Sequence, residues 1–432
     1  MNAKNIHFIG LGGIGISALA FWALSDGASV SGSDVSDSAL LEDLRKEGVT
    51  ISIGHKAENI GKGVELVIYT EAIDFKTNPE YLKAKELGVP TMSYFQALGK
   101  ISEGKRTIVV AGTKGKTTTT AMLGLALMEA GLDPTVVVGS KVREFGNRNI
   151  RLGKSDLLVV EACEYRRSFL NFDPFGVVLL NCVPDHLDYY KDEDDYVSAF
   201  VELAKKAPKD GFIVYNKDDK NASRVAKNSK ARLIGVSMTE AKRTGIKLKI
   251  LGSFNQLNAL HALRAAEALR ADSEKVMRAL ENFKGAWRRM EFKGLFQGAP
   301  VYDDYGHHPM SIKPMLEAFK NAHAGKRLIC VYQPHQYSRT YQLLEGFKTA
   351  FGAADVLMVP NIYAARDTEA DKKRIDAKKF VRAIGKHHPD ARWTESFDKT
   401  LALLKKEVTP NDVVIVGGAG DITELADRLT NL

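Results

Sequence analysis

The chain contains little cysteine and no long apolar segment. Its 432 residues include three cysteines, Cys163, Cys182 and Cys330, each within an apolar stretch. This scarcity excludes a disulfide-built fold and predicts buried thiols in a reducing compartment. No apolar run reaches the roughly 18 residues of a membrane span, and the first strand follows directly on the N-terminus, so we expect no membrane span and no signal peptide. These absences predict a cytoplasmic protein.

Acidic residues are the minority among the charges. The chain has 61 Lys and Arg against 53 Asp and Glu, a net charge of +8. Nucleic-acid binding is one explanation for such an excess. However, the lysines fall in mixed-sign segments such as residues 372–382, and no arginine stripe with interleaved aromatics occurs. We therefore expect the basic residues to lie mostly on a solvated surface, and we expect no nucleic-acid or membrane partner. Part of the excess of positive charge would lie at the nucleotide phosphate sites.

A glycine-containing turn in the second quarter of the chain predicts a phosphate-binding loop. An apolar strand at residues 107–111 leads through this turn to a helical segment at residues 121–130. Glycines let backbone N–H groups approach phosphate, and a helix N-terminus favours negative charge. In this pattern Lys116 contacts the β- and γ-phosphates and the Thr117 hydroxyl contacts Mg²⁺. Val110 stands where the general pattern has glycine, so the loop is a tighter variant, and a chance Gly/Lys turn is the alternative.

A second glycine loop opens the chain. The strand at residues 7–9 is followed by G-x-G-x-x-G over Gly10–Gly15 and by a helical stretch, and Asp34 ends the next strand. This pattern predicts a diphosphate at the helix N-terminus and a ribose hydroxyl on Asp34. It does not specify which diphosphate nucleotide binds. A tight turn without ligand is the alternative.

The order of strands and helices predicts an α/β protein of three domains. Residues 1–104 alternate strand and helix as in a Rossmann-like unit. Residues 105–293 carry the phosphate loop and further buried strands, which predicts a central P-loop ATPase-like domain. Residues 294–432 form another Rossmann-like α/β unit. No solenoid repeat and no low-complexity tract is present.

Polar residues follow several strands of the central segment. Glu161 ends an apolar strand, where ligands bind in open α/β sheets, so it is a candidate Mg²⁺ ligand or a turn cap. His186, flanked by Asp185 and Asp188, is either a metal ligand or a surface histidine. Asn255 and Asn258 share a helix face, which suits an adenine edge or a phosphate, and N-capping is the alternative.

Two polar clusters follow strands of the last segment. They are Tyr302–Pro309 and Gln333–Thr340, and they combine histidines, aspartates and an arginine. Such groups suit the carboxylate and phosphate of substrates. A zinc site is the alternative, but no H-x-x-H or C-x-x-C spacing supports it.

In these blocks, taken in order, the chain resembles the Mur ligases, the ATP-dependent acid–amine ligases of peptidoglycan synthesis. Within the family it is most similar to the branch that joins L-alanine to UDP-N-acetylmuramate, because D-D-Y-G-H-H-P and Q-P-H-x-Y-S-R-T are specific to that branch. The branch that recycles murein tripeptide resembles this chain only in the shorter pattern D-D-x-x-H-H-P and usually differs in the second block, and it remains the alternative within the family. The similarity covers essentially the whole chain, with these blocks: Gly10–Gly15, Gly112–Thr120, Glu161–Glu164, Asp185–Asp188, Asn255–Ala259, Arg288–Arg289, Asp303–Pro309, Gln333–Thr340, Tyr363–Arg366 and Gly418–Ile422.

The resemblance implies a role for each matching position. The UDP-substrate would contact Gly12, Gly13, Ile14, Gly15, Ser33, Asp34 and Thr70. ATP would contact Gly112, Thr113, Lys114, Gly115, Lys116, Thr117, Thr118, Asn255, Asn258, Arg289 and Asp304. One Mg²⁺ would bind Thr117 and Glu161, and a second would bind His186. The amino acid would contact Tyr305, His307, His335 and Arg339, and the catalytic set would be Lys116, Glu161, His186, His307 and Arg339.

The chain departs from the family pattern at five positions. Members of this branch commonly have His in place of Lys114, Asp in place of Cys163 and Arg in place of Gln336. They also commonly have Ser in place of Glu71 and Thr in place of Met310. Gln336 removes a guanidinium near the implied amino-acid pocket, which leaves the preferred amino acid open. Outside the family, a Rossmann oxidoreductase with a fused kinase-like domain and a nucleotide-dependent scaffold remain alternatives. We expect a monomer or homodimer.

Overall fold

The computed structural model describes residues 3–186, 189–365 and 367–431. Two compact units are present. The first contains residues 1–247 and 256–283, and the second contains residues 248–255 and 284–432. Each is α/β with a mainly parallel sheet, which confirms the predicted class. The three-domain limits after residues 104 and 293 stay predictions, and the second limit falls within a strand that starts at Glu291.

The N-terminal sheet of the first unit is parallel throughout, with the strand order β3-β2-β1-β4-β5 of a Rossmann-like sheet. Its helices begin at capping residues such as Ser38, Asn78 and Ser93, whose side chains accept backbone N–H bonds. Its elements are β1 (Asn5–Ile9), α1 (Ile14–Ser25), β2 (Ser29–Asp34), α2 (Ala39–Lys46), β3 (Thr50–Ile53), β4 (Leu66–Tyr69), α3 (Pro79–Glu86), β5 (Thr91–Ser93) and α4 (Tyr94–Ser102).

The second sheet of the same unit has seven strands in the order β12-β11-β10-β6-β9-β7-β8, and the edge strand β8 is antiparallel. Its central strands are buried Val/Ile/Leu runs, as expected where helices cover both faces. Its elements are β6 (Arg106–Ala111), α5 (Lys116–Glu129), β7 (Thr135–Val142), β8 (Arg148–Arg151), β9 (Leu157–Glu161), β10 (Gly176–Leu179), α6 (Glu193–Lys206), β11 (Phe212–Asn216), α7 (Lys220–Ala226), β12 (Arg232–Val236), α8 (Met238–Arg243), α9 (Phe254–Ala268) and α10 (Ser273–Asn282).

The second unit contains a six-stranded sheet in the order β13-β14-β18-β15-β16-β17, with the edge strand β13 antiparallel. Its elements are β13 (Glu291–Phe296), β14 (Ala299–Asp304), α11 (Pro309–Ala322), β15 (Arg327–Tyr332), α12 (Tyr337–Gln342), α13 (Leu344–Ala350), β16 (Val356–Val359), α14 (Glu369–Arg374), α15 (Ala377–Ile384), β17 (Ala391–Trp393), α16 (Phe397–Glu407), β18 (Asp412–Gly417) and α17 (Thr423–Thr430).

The cores follow from strand alternation. In β15, Leu328, Cys330 and Tyr332 enter one apolar cluster, whereas Ile329 and Val331 enter another on the opposite face. In the first unit one cluster is continuous through both sheets, from Phe8 of β1 to Phe200 of α6. Cys182 and Cys330 are buried and Cys163 is half-buried, and all three are free thiols. Within the described residues, no helix has the length and apolar content of a membrane span.

Candidate active site

The phosphate loop lies between β6 and α5, as predicted. Gly112 and Gly115 have positive φ values of 141° and 88°, which side chains rarely adopt. A Cβ atom on Gly115 would also lie 2.7 Å from the Oδ1 atom of Asn258. Both glycines are therefore required by backbone geometry, and Asn258 of α9 lies directly against the loop.

Asn181 clamps this loop, a role that the sequence did not reveal. Its Oδ1 accepts from the Lys114 backbone N–H at 2.8 Å, and its Nδ2 donates to the Lys114 carbonyl at 2.9 Å. The Thr113 hydroxyl donates to the carbonyl of Val183 at 2.7 Å and accepts from its N–H at 3.0 Å. The only sequence signal was the position of Asn181 just after the apolar strand β10, next to β6 in the sheet.

Lys116, the first residue of α5, is held by the loop and by a buried carboxylate. Its Nζ donates to the Gly112 carbonyl at 2.5 Å and lies 2.8 Å from Oε2 of Glu164. Burial is the largest single effect and disfavours the ammonium, but the charge and hydrogen bond of Glu164 act together with the charges of neighbouring groups, including Glu161, and raise the pKa of Lys116. The lysine is therefore charged at neutral pH. Glu164, only 1% exposed, was part of a family block but was not among the predicted site residues.

Thr117 and Glu161 lie together as predicted. The Thr117 hydroxyl donates to Oε1 of Glu161 at 2.9 Å, and the Gly139 N–H donates to Oε2 at 2.6 Å. A hydroxyl and a carboxylate are hard oxygen ligands of the kind that Mg²⁺ takes in company with phosphate oxygens and waters. The pair fits such an ion. No group of three or more His, Cys, Asp or Glu side chains is placed to hold a metal anywhere in the described ranges.

The His186 side chain lies near Glu164 and is not an isolated surface histidine. Its Nε2 lies 3.8 Å from Oε1 of Glu164, and its ring is 4.8 Å from that of Tyr165. The neighbouring Asp185 forms an ion pair with Lys114 at 3.2 Å. Burial opposes ionisation of Asp185, but the charges of Lys114 and His186 hold its pKa well below the usual range. Lys114, which departs from the family pattern, thus carries a positive charge that Asp185 neutralises. Asp188 lies outside the described residues.

The first glycine loop is closed by its own acidic residue. The Gly12 N–H donates to Oδ2 of Asp34 at 2.8 Å, and the Val35 N–H donates to Oδ1 at 2.7 Å. A Cβ atom on Gly12 would lie 2.9 Å from that same Oδ2, which explains the glycine. Gly13 precedes α1 as its N-cap residue with φ −69°, so it lies at the positive end of the helix. Ile14 is the first residue of that helix.

Ser33 and Thr70 flank this loop in different ways. Ser33 is fully buried, and its hydroxyl lies 2.5 Å from Oε2 of Glu80 and 2.9 Å from Nδ1 of His55. Its backbone carbonyl accepts from the N–H groups of Gly10 and Leu11. The structure therefore gives Ser33 an internal role under the loop. Thr70 lies beside Gly10, where a Cβ atom would be 2.3 Å from Cγ2 of Thr70.

The four residues proposed for the amino acid form one cluster in the second unit. The Tyr305 and His307 rings are 5.4 Å apart, and the His307 and His335 rings are 6.3 Å apart. An Arg339 guanidinium N–H donates to Nδ1 of His335 at 3.2 Å, which places the proton of a neutral His335 on Nε2. The His335 ring also stacks on the Tyr363 ring, with centroids 5.5 Å apart. Histidines from two different strand ends and an arginine from α12 are thus brought together.

Asp304 and Arg289 also belong to this unit. The Asp304 carboxylate is buried, and it accepts from the N–H groups of Met290 at 2.8 Å and Gly306 at 2.7 Å. Burial raises its pKa against the opposing charge of Arg289. Arg289 lies over the Tyr305 ring at 5.1 Å. The residue before it, Arg288, is buried and ion-paired to Asp303 at 3.3 Å, so it supports the strand ends.

Gln336 and Asn255 bind backbone carbonyls. Gln336 has a positive φ of 69°, and its Nε2 donates to the Ala365 carbonyl at 2.9 Å. It therefore ties the loop after β15 to the loop after β16. Asn255 donates to the Leu251 carbonyl at 2.6 Å near the start of α9. Arg366, the last residue of one family block, lies outside the described residues.

Three family models match the chain in succession. They are described as the Mur ligase family catalytic domain over residues 5–106, the Mur ligase middle domain over residues 110–243, and the Mur ligase glutamate ligase domain over residues 288–420. Together they span most of the sequence and all three sheets. The chain belongs to the Mur ligase family. The expected resemblance is confirmed.

Relatives within the Mur ligase family are similar over the full length. The UDP-N-acetylmuramate–L-alanine ligase of Caldanaerobacter subterraneus is 41% identical, with 98% of this chain and 97% of the relative covered. The ligase of the same name from Clostridium kluyveri is 39% identical over 99% and 98%. Among solved structures, UDP-N-acetylmuramate-alanine ligase from Thermotoga maritima has a TM-score of 0.83 at 28% identity, covering 99% and 98%. A murein peptide ligase from Psychrobacter arcticus, 22% identical with a TM-score of 0.75, shares the fold.

Proposed function

We propose that this Mur ligase joins L-alanine to the lactyl carboxylate of UDP-N-acetylmuramate at the expense of ATP, in peptidoglycan precursor synthesis. The full-length similarity to ligases of that name, 41% identical over 98% of the chain, carries the proposal. The murein tripeptide reaction is not favoured, because the peptide ligase is less similar in sequence and in structure. The reaction belongs in the cytoplasm, where three free thiols persist.

The chemistry requires activation of a poor electrophile. A lactyl carboxylate oxygen attacks the γ-phosphorus of ATP, ADP leaves, and an acyl phosphate forms. The free amine of L-alanine then attacks the acyl carbon, and inorganic phosphate leaves with the electron pair of the C–O bond. Catalysis of both steps consists mainly of positioning and charge neutralisation.

In the first unit, we propose that the phosphate loop holds the transferring phosphates of ATP. Lys116 is charged, lies at the N-terminus of α5 and donates to Gly112 and Glu164. It would exchange these partners for phosphate oxygens when ATP binds. Thr117 with Glu161, and separately His186, would hold Mg²⁺, which neutralises phosphate charge when bound. The first glycine loop with Asp34 would hold the diphosphate and ribose of the UDP-substrate.

In the second unit, we propose that Tyr305, His307, His335 and Arg339 receive the amino acid. Two observations support this proposal: the four side chains form one cluster near strand ends, and the guanidinium of Arg339 donates hydrogen bonds. Arg289 and Asp304, with Asn255, would contact the nucleotide. Gln336 is uncharged and its amide donates to the Ala365 carbonyl, so it does not supply the guanidinium that the family pattern implies at this position.

The test is an amine-dependent phosphate-release assay with UDP-N-acetylmuramate, ATP and Mg²⁺. We expect release with L-alanine, weaker release with glycine or L-serine, and none with the tripeptide. Mass spectrometry should show one alanyl residue added to the UDP-sugar. Release with the tripeptide alone would support the recycling reaction, and no release with any amine would exclude a ligase of this substrate.

A further inference from the structure

Tyr94 is the first residue of α4, directly after a capping residue. The preceding Ser93 is the N-cap of this helix and forms a capping box with Gln96. The Ser93 side chain accepts from the Gln96 N–H, and the Gln96 side chain accepts from the Ser93 N–H at 2.9 Å. The edge-to-face contact between Tyr94 and Phe95, with ring centroids 4.8 Å apart, further restricts the ring. The capping box thus fixes the start of α4, and the Tyr94 side chain extends from this first turn.

The ring of Tyr94 lies directly against the first glycine loop. A Cβ atom on Gly15 would be 3.0 Å from Cζ and 3.3 Å from the hydroxyl oxygen of Tyr94. Gly15 belongs to the first turn of α1, whose N-terminus is the proposed diphosphate site. The hydroxyl of Tyr94 therefore lies beside that site.

The negative charge of Glu161, a proposed Mg²⁺ ligand, acts on the same hydroxyl. Burial, and then the negative charge of Glu161, raise the pKa of Tyr94, and Cys163 contributes in the same direction. Tyr94 is thus a neutral hydrogen-bond donor at physiological pH. The Tyr94 side chain is half-buried, and its hydroxyl forms no hydrogen bond within the described part of the chain. The hydroxyl groups of Tyr190 and Tyr196, in contrast, bind Glu164 and Thr113.

We infer that the Tyr94 hydroxyl donates a hydrogen bond to an oxygen of the N-acetylmuramoyl group of the UDP-substrate and thereby selects for that group. The inference rests on the proposed function. A substrate with its diphosphate at the N-terminus of α1 and its lactyl carboxylate near Glu161 must place the sugar between them. Tyr94 is a neutral donor whose ring lies against Gly15, at the first of these places, and its hydroxyl is affected by the charge of Glu161, at the second.

The experiment compares ligand binding to the wild-type chain and to Tyr94→Phe by isothermal titration calorimetry. Removal of a neutral hydrogen bond should weaken binding of UDP-N-acetylmuramate about threefold to tenfold. Binding of UDP alone should not change, and neither should the KM for ATP. Because the phenylalanine ring keeps the contact with Gly15, the thermal unfolding midpoint should stay at the wild-type value. Tyr341→Phe, at a half-exposed tyrosine in the second unit, is the matched control and should bind like wild type.

Two results would overturn the inference. One is unchanged binding of UDP-N-acetylmuramate to Tyr94→Phe. The other is an equal loss for UDP and for the UDP-sugar, because that pattern would place the contact at the diphosphate. If Tyr94→Phe unfolds, the sugar increment is measured on the wild-type chain by comparing UDP with UDP-N-acetylmuramate, and the absence of any increment overturns the inference. Failure of the wild-type chain to turn over UDP-N-acetylmuramate would instead contradict the proposed function.

Discussion

Oε2 of Glu164 lies 2.8 Å from Nζ of Lys116, and the two side chains are 1% and 15% exposed. The phosphate-loop lysine is therefore half of a largely buried ion pair, not a free surface charge. Removal of one partner of such a pair leaves the other buried without compensation, and this costs more than the pair itself contributes. Both the activity and the stability of Lys116 variants depend on this relationship.

We predict that Lys116→Met abolishes ATP-dependent phosphate release and lowers the free energy of unfolding by about 3 kcal/mol, because Glu164 loses its counter-charge. The double variant Lys116→Met/Glu164→Gln should recover most of that stability and no activity. Urea unfolding and the phosphate-release assay measure the two effects separately. Wild-type turnover in the single variant would contradict the phosphate role, and unchanged stability would contradict the structural role of the pair.

The pH dependence of stability should depend on His261 in α9. This histidine is 1% exposed, its Nδ1 binds the Leu257 carbonyl at 2.8 Å, and burial lowers its pKa from 6.5 to about 4. Because the pKa of His261 is lower in the folded state than in the unfolded state, only the unfolded chain takes up a proton between pH 6.5 and pH 4. The free energy of unfolding is therefore at its full value above pH 6.5 and falls as the pH drops towards 4. The loss should be roughly 3 kcal/mol. In His261→Gln, urea unfolding between pH 7 and pH 4 should show a smaller loss, whereas the exposed His387→Gln should follow wild type.

Arg339→Ala should reduce turnover with L-alanine about tenfold to a hundredfold. A charged hydrogen bond is worth roughly 1.5–3 kcal/mol, and the variant also removes the donor that orients His335. Arg339→Lys should recover little, because an ammonium does not reproduce the planar guanidinium. Steady-state kinetics in L-alanine should show the change in kcat/KM, with KM for ATP as the internal control. Wild-type kinetics in both variants would remove Arg339 from the amino-acid pocket.

Substitution of Gly13 should weaken binding of the UDP-substrate much more than that of ATP. A Cβ atom there would lie 3.3 Å from the Gly10 carbonyl oxygen and 3.4 Å from Ile16, so Gly13→Ala fits after small shifts. It places a methyl group where the diphosphate is proposed to bind. Gly15→Val is a poorer probe, since its side chain would collide with Tyr94. Calorimetry with UDP and with ATP separates the two sites, and an equal loss for both would mean that the nucleotides are wrongly assigned.

The strands that lead into the two glycine loops were predictable, whereas several strands at sheet edges were not. The strands predicted at residues 7–9 and 107–111 lie within β1 and β6. The short edge-region strands β3, β5 and β17 were missed, because their residues are only partly buried and have no continuous apolar run. These strands are stabilised by hydrogen bonds to neighbouring strands that are distant in the chain, and the local sequence does not reveal such pairing.

The sequence by itself determined the two glycine loops, since strand, turn and helix are consecutive in the chain and glycine alone tolerates the φ values of Gly112 and Gly115. It also determined the family. Only the tertiary structure decided which distant groups act on these loops: Glu164 on Lys116 across 48 positions, Asn181 on Lys114 across 67, and Tyr94 on Gly15. The physical reason is that parallel strands far apart in the chain end at one edge of a sheet, so partners are chosen by strand order and not by spacing.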